Sequence, residues 1–289
     1  MNILSIDSST KFLSVAVSRD DKLLSEANDK SQSRHMVNII AMVKRALSEA
    51  KLTLKEIDVF GVNSGPGDFT GTRIGISVIK MLSWLESKPA YGINSLDSNA
   101  AAICSGNYSY IAKSIERNMP VMIMPCLDVR KSEVYFSFYE ISRGPSGSDG
   151  RDNNGDIAGD YTVKITKKGE QLVLRKRDRS FLTRYDNLEN VLDAQAKDGS
   201  GRKLKGAALI RDLKIIIGGN CCPAYAEVLS GIAGGSSTFI LDKKVYSQRA
   251  QYLNTCAYYN SVRKVETVNL SPVYVREFVP FGGNKQGKS

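Results

Sequence analysis

Two periods of apolar residues alternate along the first hundred positions. "NILSID" is apolar at Ile3, Leu4 and Ile6 and runs into Asp7, Ser8, Ser9 and Thr10, which reads as a strand ending in a polar turn. "FLSVAVS" and "KLLSEAND" follow as two further strands, so the chain opens as an antiparallel meander. The period then changes. Met36, Ile39, Ile40, Val43, Leu47 and Ala50 recur at three- and four-residue steps and predict a helix over 34–50, with Ser31 or Ser33 as its N-cap. "IDVFGVN" is almost continuously apolar, as a strand buried on both faces should be. A glycine-rich turn leads into a second helix over 70–87, whose stripe is Ile74, Val78, Met81, Leu82 and Leu85. "AYGIN" reads as a short strand, and "SLDSNAAAICS" as a helix capped by Ser95.

The organisation restarts after residue 120. "PVMIMPCLDVR" and "SEVYFSFYEI" are two strands about a tight turn at Arg130 and Lys131, and "YTVKI" and "QLVLR" extend the sheet. "LKIIIGGN" is a buried strand followed by a helix from Pro223, 246–259 reads as helical, and "PVYVREF" is extended. The polar runs at 143–160 and 197–206 hold little to bury and read as excursions. Strands and helices therefore occur in two successive sets, which predicts an α/β protein of two related lobes.

Composition narrows the class. The 289 residues are 42% apolar and 24% charged, as in a soluble globular protein. The opening has no basic n-region, and no run approaches the roughly 20 apolar residues of a membrane span. A cytoplasmic location and no membrane partner are expected. Five cysteines without framework spacing, two of them adjacent at Cys221 and Cys222, argue for reduced thiols. With His35 as the one histidine, the ligand spacing of a metal site is missing. The net charge of +10 favours an acidic partner. Its excess lies in the second half, where Lys167, Lys168, Arg175, Lys176 and Arg177 form either a surface for an RNA backbone or a solvated face. Few aromatics are interleaved there for base stacking.

The turn "NSGPGDFTGTRIG" invites a phosphate-binding reading, and spacing tests it. A Walker A loop requires a lysine after its last glycine, but Gly71 is followed by Thr72 and Arg73. A dinucleotide fingerprint requires glycine at 70, where Thr70 stands, and an acidic residue after the next strand, which "AYGIN" does not supply. The glycines are therefore conformational. Pro66 biases Gly65 away from the helical region, Gly67 permits positive φ, and Asp68 or Thr70 caps the helix. Gly71 and Gly75 share one helix face, where another backbone can approach closely. That backbone belongs either to the protein's own sheet or to a partner subunit.

These same residues carry a resemblance. "GPGDFTGTRIG" is similar to the G-P-G-S-F-T-G-L-R-I-G signature of the TsaB family, compact paralogues of TsaD with the ASKHA (actin-like, RNase H-like) fold. "ILSIDSST", "GINSLDSNAAA", "CLDVRKSEVYFSFYE" and "SPVYVRE" resemble further family segments in family order. Asp68 and Thr72 depart from the usual serine and leucine. The loops at 143–160 and 197–206 look like insertions.

The resemblance implies two actin-like lobes, each a mixed sheet flanked by helices: residues 1–105, with dimerisation helices 34–50 and 70–87, and residues 106–289, whose C-terminal segment returns to the first lobe. It implies a non-catalytic scaffold subunit in tRNA N6-threonylcarbamoyladenosine formation, at the adenosine next to the anticodon. The implied partners are a TsaD-like catalytic subunit, a TsaE-like ATPase and tRNA through the complex, with a homodimer when the chain is alone. The family's dimers place His35, Ile39, Val43, Gly71, Ile74, Gly75 and Val78 at the subunit interface. Asp7, Ser8 and Ser9 correspond to a vestigial nucleotide site. This subunit is expected to require no cofactor, with ATP or ADP left to the complex interface, and no catalytic residue or metal ligand is assigned. The metal-binding histidine pair of the catalytic paralogue has no counterpart in "GINSLDSNAAA". The alternatives are a stand-alone ASKHA ATPase or kinase, a metallopeptidase of the kind once assigned to TsaD relatives, and a direct RNA-binding module.

Overall fold

A computed structural model describes residues 1–29, 35–128, 133–143, 162–167, 170–176, 181–184, 214–219, 239–242, 250–262 and 270–273. The meander forms as the alternation predicts: β1 (Asn2–Asp7), β2 (Leu13–Arg19) and β3 (Lys22–Asp29) pair antiparallel. Helix α1 (His35–Ala50) crosses to β4 (Val59–Gly65), which lies parallel to β1, and α2 (Phe69–Glu86) crosses to β5 (Ala90–Asn94), parallel to β4. The sheet order is β3-β2-β1-β4-β5.

Helix α3 (Ser95–Gly106) is capped by the carboxamide of Asn94, one residue before the expected Ser95. A short helix absent from the sequence reading follows, α4 (Tyr108–Glu116). It buries Tyr108, Ile111 and Ala112 at helical spacing.

The second sheet is centred on β6 (Val121–Asp128). The expected single strand beside it is divided into β7 (Glu133–Phe136) and β8 (Tyr139–Arg143). Both keep one antiparallel register with β6, Cys126 facing Phe136 and Ile123 facing Tyr139. That register puts Pro125 opposite the break. Proline has no N–H to donate, so the ladder is interrupted there without slipping. Beyond β8 lie β9 (Thr162–Lys167) and β10 (Glu170–Lys176), with β10 next to β8. The short β11 (Phe181–Arg184) pairs with β7. On the other side of β6, β12 (Lys214–Gly219) runs parallel to it, and β13 (Phe239–Leu241) parallel to β12. The path β10-β8-β6-β12-β13 thus repeats the order and the strand directions of the first sheet, as the expectation of two related lobes requires. The last described helix is α5 (Ala250–Val262); the helix expected from Pro223 lies outside the described residues.

Two cores follow. Leu4, Ile6, Phe60 and Val62 on one face of the first sheet meet Ile39, Val43 and Leu47 of α1 and Ile76, Ile79 and Leu82 of α2. The opposite face, through Ile3, Val59 and Ile93, meets α3 and α5, and these also cover Ile123, Leu172, Leu174 and Ile216 of the second sheet. Helices α3 and α5 therefore form a middle layer shared by both sheets. Among the described residues no helix is long and apolar enough to cross a membrane.

Candidate functional site

The end of β1 and the glycine turn form one assembly. Asp7 is 1% exposed, and its carboxylate accepts from the Ser9 N–H at 3.1 Å, the Ser9 hydroxyl at 2.7 Å and the Asn63 amide at 3.1 Å. Burial pushes this carboxyl above its ordinary value, against the pull of the Ser9 and Asn63 hydrogen bonds. The Asn63 oxygen accepts from the Gly65 N–H at 2.8 Å and the Ser95 hydroxyl at 2.7 Å, tying β1, β4 and α3 together.

The positive φ falls on Gly65 (φ +100°), not on Gly67 as expected. Gly67 is required for a different reason: a Cβ there would lie 2.4 Å from the Ser9 carbonyl oxygen. Asp68 caps α2 by accepting from the Gly71 N–H at 2.8 Å.

Gly71 and Gly75 face the protein's own chain. A Cβ at 71 would meet the Ser8 carbonyl oxygen at 2.0 Å, and one at 75 the Ser8 hydroxyl at 2.4 Å. The Ser8 hydroxyl donates to the Gly71 carbonyl at 2.7 Å. The backbone for which these glycines make room is thus the Ser8–Ser9 turn, and their assignment to a subunit interface is corrected. Ile39 and Val43 are corrected likewise, being 2% and 4% exposed inside the first core. Asp7, Ser8 and Ser9, expected as a vestigial nucleotide site, are 1%, 2% and 1% exposed, and Ser8 and Ser9 pack against the glycine turn.

The outer side of α2 is different. Ile74 and Val78 are half-buried beside the core, and the stripe continues through Met81, Trp84 and Leu85, which are 48%, 82% and 60% exposed. Ile40 of α1 is exposed on the adjacent helix, and Phe69, under the guanidinium of Arg73 at 3.9 Å, is exposed at the start of α2. Exposed apolar side chains grouped along one helix in this way are a candidate contact surface for another macromolecule. Trp84 is the residue that sequence reasoning missed. The signal was present, since Met81, Leu82, Trp84 and Leu85 make the end of α2 apolar on more than its core-facing side. His35 opens α1, ahead of Ile39 on that helix.

The basic surface is only partly brought together. Lys168 and Arg177 lie outside the described residues, Lys167 ends β9, and Arg175 is exposed on β10. Lys176 points inward, its ammonium 3.6 Å from the buried carboxylate of Asp97, which also accepts from the Tyr139 hydroxyl. Its place on an RNA-contacting face is corrected: it serves a buried polar cluster between α3 and the second sheet. Burial pushes Asp97 upward, and the Lys176 charge and the Tyr139 hydrogen bond draw it back. Among the described residues no group of three His, Cys, Asp or Glu could hold a metal ion, and Cys104, Cys126 and Cys256 are buried.

Two mixed sheets of the same order, sharing a helical layer, define a two-lobed α/β protein of the actin-like class. Comparison with known proteins narrows this further. The family model for TsaD, the tRNA N6-adenosine threonylcarbamoyltransferase, matches residues 25–168. The tRNA threonylcarbamoyladenosine biosynthesis protein TsaB of Bacillus subtilis is 27% identical over 200 residues, 69% of this chain and 80% of that protein. The TsaB of Escherichia coli is 28% identical over 167 residues, 58% of this chain and 63% of that protein. The solved structure of YeaZ from Pseudomonas aeruginosa superposes with a TM-score of 0.60 at 20% identity, covering 95% of this chain and 99% of that one. These matches bear out the resemblance of this chain to the TsaB family and to its paralogue TsaD.

Proposed function

We propose that this protein is the non-catalytic scaffold subunit of the assembly that forms N6-threonylcarbamoyladenosine in tRNA, and that it seats a TsaD-like catalytic subunit on the outer face of α1 and α2. The observation that carries this reading is the stripe Ile74, Val78, Met81, Trp84 and Leu85. An exposed tryptophan beside aliphatic neighbours is the composition of an interface centre. The names of the relatives supply the reaction. The closed Asp7 turn supports a subunit that needs no nucleotide of its own, with any ATP or ADP at the complex interface. In the cytoplasm the chain alone would pair with itself through the same stripe. A TsaE-like ATPase would complete the cycle, and tRNA would be reached through the assembly.

The test is co-purification with the TsaD-like subunit of the same organism, coupled to nucleoside mass spectrometry of tRNA. The wild-type chain should co-elute, yield no modified adenosine alone, and restore it with both partners present. Trp84→Glu combined with Leu85→Glu should abolish co-elution and modification while leaving the melting temperature of the free chain close to wild type. Modification of tRNA by the chain alone, or unchanged co-elution of the double variant, would sink the proposal. Gly75→Arg would not serve as a test, because it would disrupt packing on Ser8.

A further inference from the structure

At the end of the first sheet remote from Asp7, the turn between β2 and β3 faces α5, the end of α3 and β9 across an open pocket of about 210 Å³. Its polar lining includes Asp20, Asp21 and Asn254, and its apolar walls are Leu23 and Ile165. Asn254 is 1% exposed, yet neither its amide nitrogen nor its carbonyl oxygen has a hydrogen-bond partner among the described residues. A buried carboxamide left unpaired bears the full cost of its lost hydration. Native proteins seldom leave such a group without a role. Asp20 holds the Met1 ammonium at 2.9 Å, while Asp21 is exposed on the same turn. The field of the two carboxylates reaches across to α5: burial, and then the charges of Asp20 and Asp21, push the Tyr258 phenol above its ordinary value. No lysine or arginine lines the pocket among the described residues.

We propose that this pocket binds a small aliphatic organic cation bearing a primary ammonium group. The ammonium would donate to the Asn254 oxygen or to Asp21, and the stem would lie along Leu23 and Ile165. The volume falls below the range usual for drug-sized ligands and suits a short diamine or guanidino-amine. Because the lining comes from β2, β3, α3 and α5 of one lobe and its shared layer, and from β9 of the other, such a ligand would join the two lobes. The site lies away from the α2 stripe, so its failure and that of the scaffold reading are separable.

The experiment uses the full chain at low salt, with putrescine, agmatine and n-butylamine as probes, n-butanol and butyrate as neutral and anionic controls, and calcium as a competing inorganic cation. Calorimetry and melting temperature are read together. The amines should bind and raise the melting temperature, and the controls should do neither. Asp21→Asn should weaken amine binding by about fivefold, the scale of one partly exposed charge pair. Asn254→Leu, which removes the unpaired amide at similar volume, should abolish the amine response without lowering the melting temperature of the free chain. Absence of amine binding, equal binding of butanol or butyrate, displacement of the amines by calcium, or unchanged affinity in Asp21→Asn would each overturn the proposal.

Discussion

Asp7 sits where its charge is least welcome, and its three hydrogen bonds only partly offset that burial. A carboxyl raised in the folded state binds its proton more tightly there than in the unfolded chain. Its contribution to stability is therefore fully present below the unfolded pKa and is lost as pH rises through the higher folded pKa. Asp7→Asn removes that titration. Urea denaturation of both proteins from pH 4 to pH 7 should show a wild-type stability that falls more steeply with pH than the variant's. Parallel curves would mean that Asp7 is not raised. Gly71 makes a steric point at the same scale. A methyl group there would press on the Ser8 carbonyl at 2.0 Å, and backbone cannot swing aside as a side chain can. Gly71→Ala should cost about 1–3 kcal/mol in chemical denaturation, the usual penalty for overpacking.

Among the elements, α2 carries two faces with different duties. The inner face was legible as a helical period, and so was that of α1, because each has one apolar side. Which backbone Gly71 and Gly75 admit was not legible, since a pair of missing Cβ atoms looks the same against the own chain and against a partner. Helix α4 was missed because its short period of Tyr108, Ile111 and Ala112 follows closely on the apolar run of α3. Lys176 was misread for a related reason. Its partner Asp97 is remote in sequence, and only the pairing of β10 with β8, beside α3, brings them together. Removing one member of a buried pair leaves the other uncompensated, so Lys176→Met should cost about 3 kcal/mol or more. The double variant Lys176→Met with Asp97→Asn should recover much of that loss. Additive losses in the double-mutant cycle would show that the two side chains do not interact.

At the scale of the molecule, the repeat of one sheet order in two lobes was visible in outline as two successive sets of strands and helices. The shared layer was not, because α3 is buried nearly all round, its polar residues Ser95, Asp97, Ser98 and Asn99 included, so its sequence shows no solvent-facing side to betray its two neighbours. That layer predicts how the protein unfolds. With Leu253, Cys256 and Ala257 of α5 in one core with residues of both sheets, the lobes cannot separate without exposing it. Calorimetry should give one transition. Gly71→Ala in the first lobe and Leu174→Ala in the second should each move that whole transition, whereas two resolved transitions would show independent lobes.

The position of α5 has a consequence for the chain during its synthesis. Gly61 of β4 is closed over by Ala257, and Ile3, Val59 and Ile93 complete the same surface. Helix α3 follows β5 at once, but α5, which covers the rest of this surface, emerges from the ribosome long after the first five strands have been made. Domains usually fold from the N-terminus as they appear. Here the first sheet can bury its α1–α2 side early, but its other face is covered only in part, by α3, until Ala250–Val262 arrives. The nascent first lobe should therefore engage a chaperone during that interval, in a way that the finished protein does not.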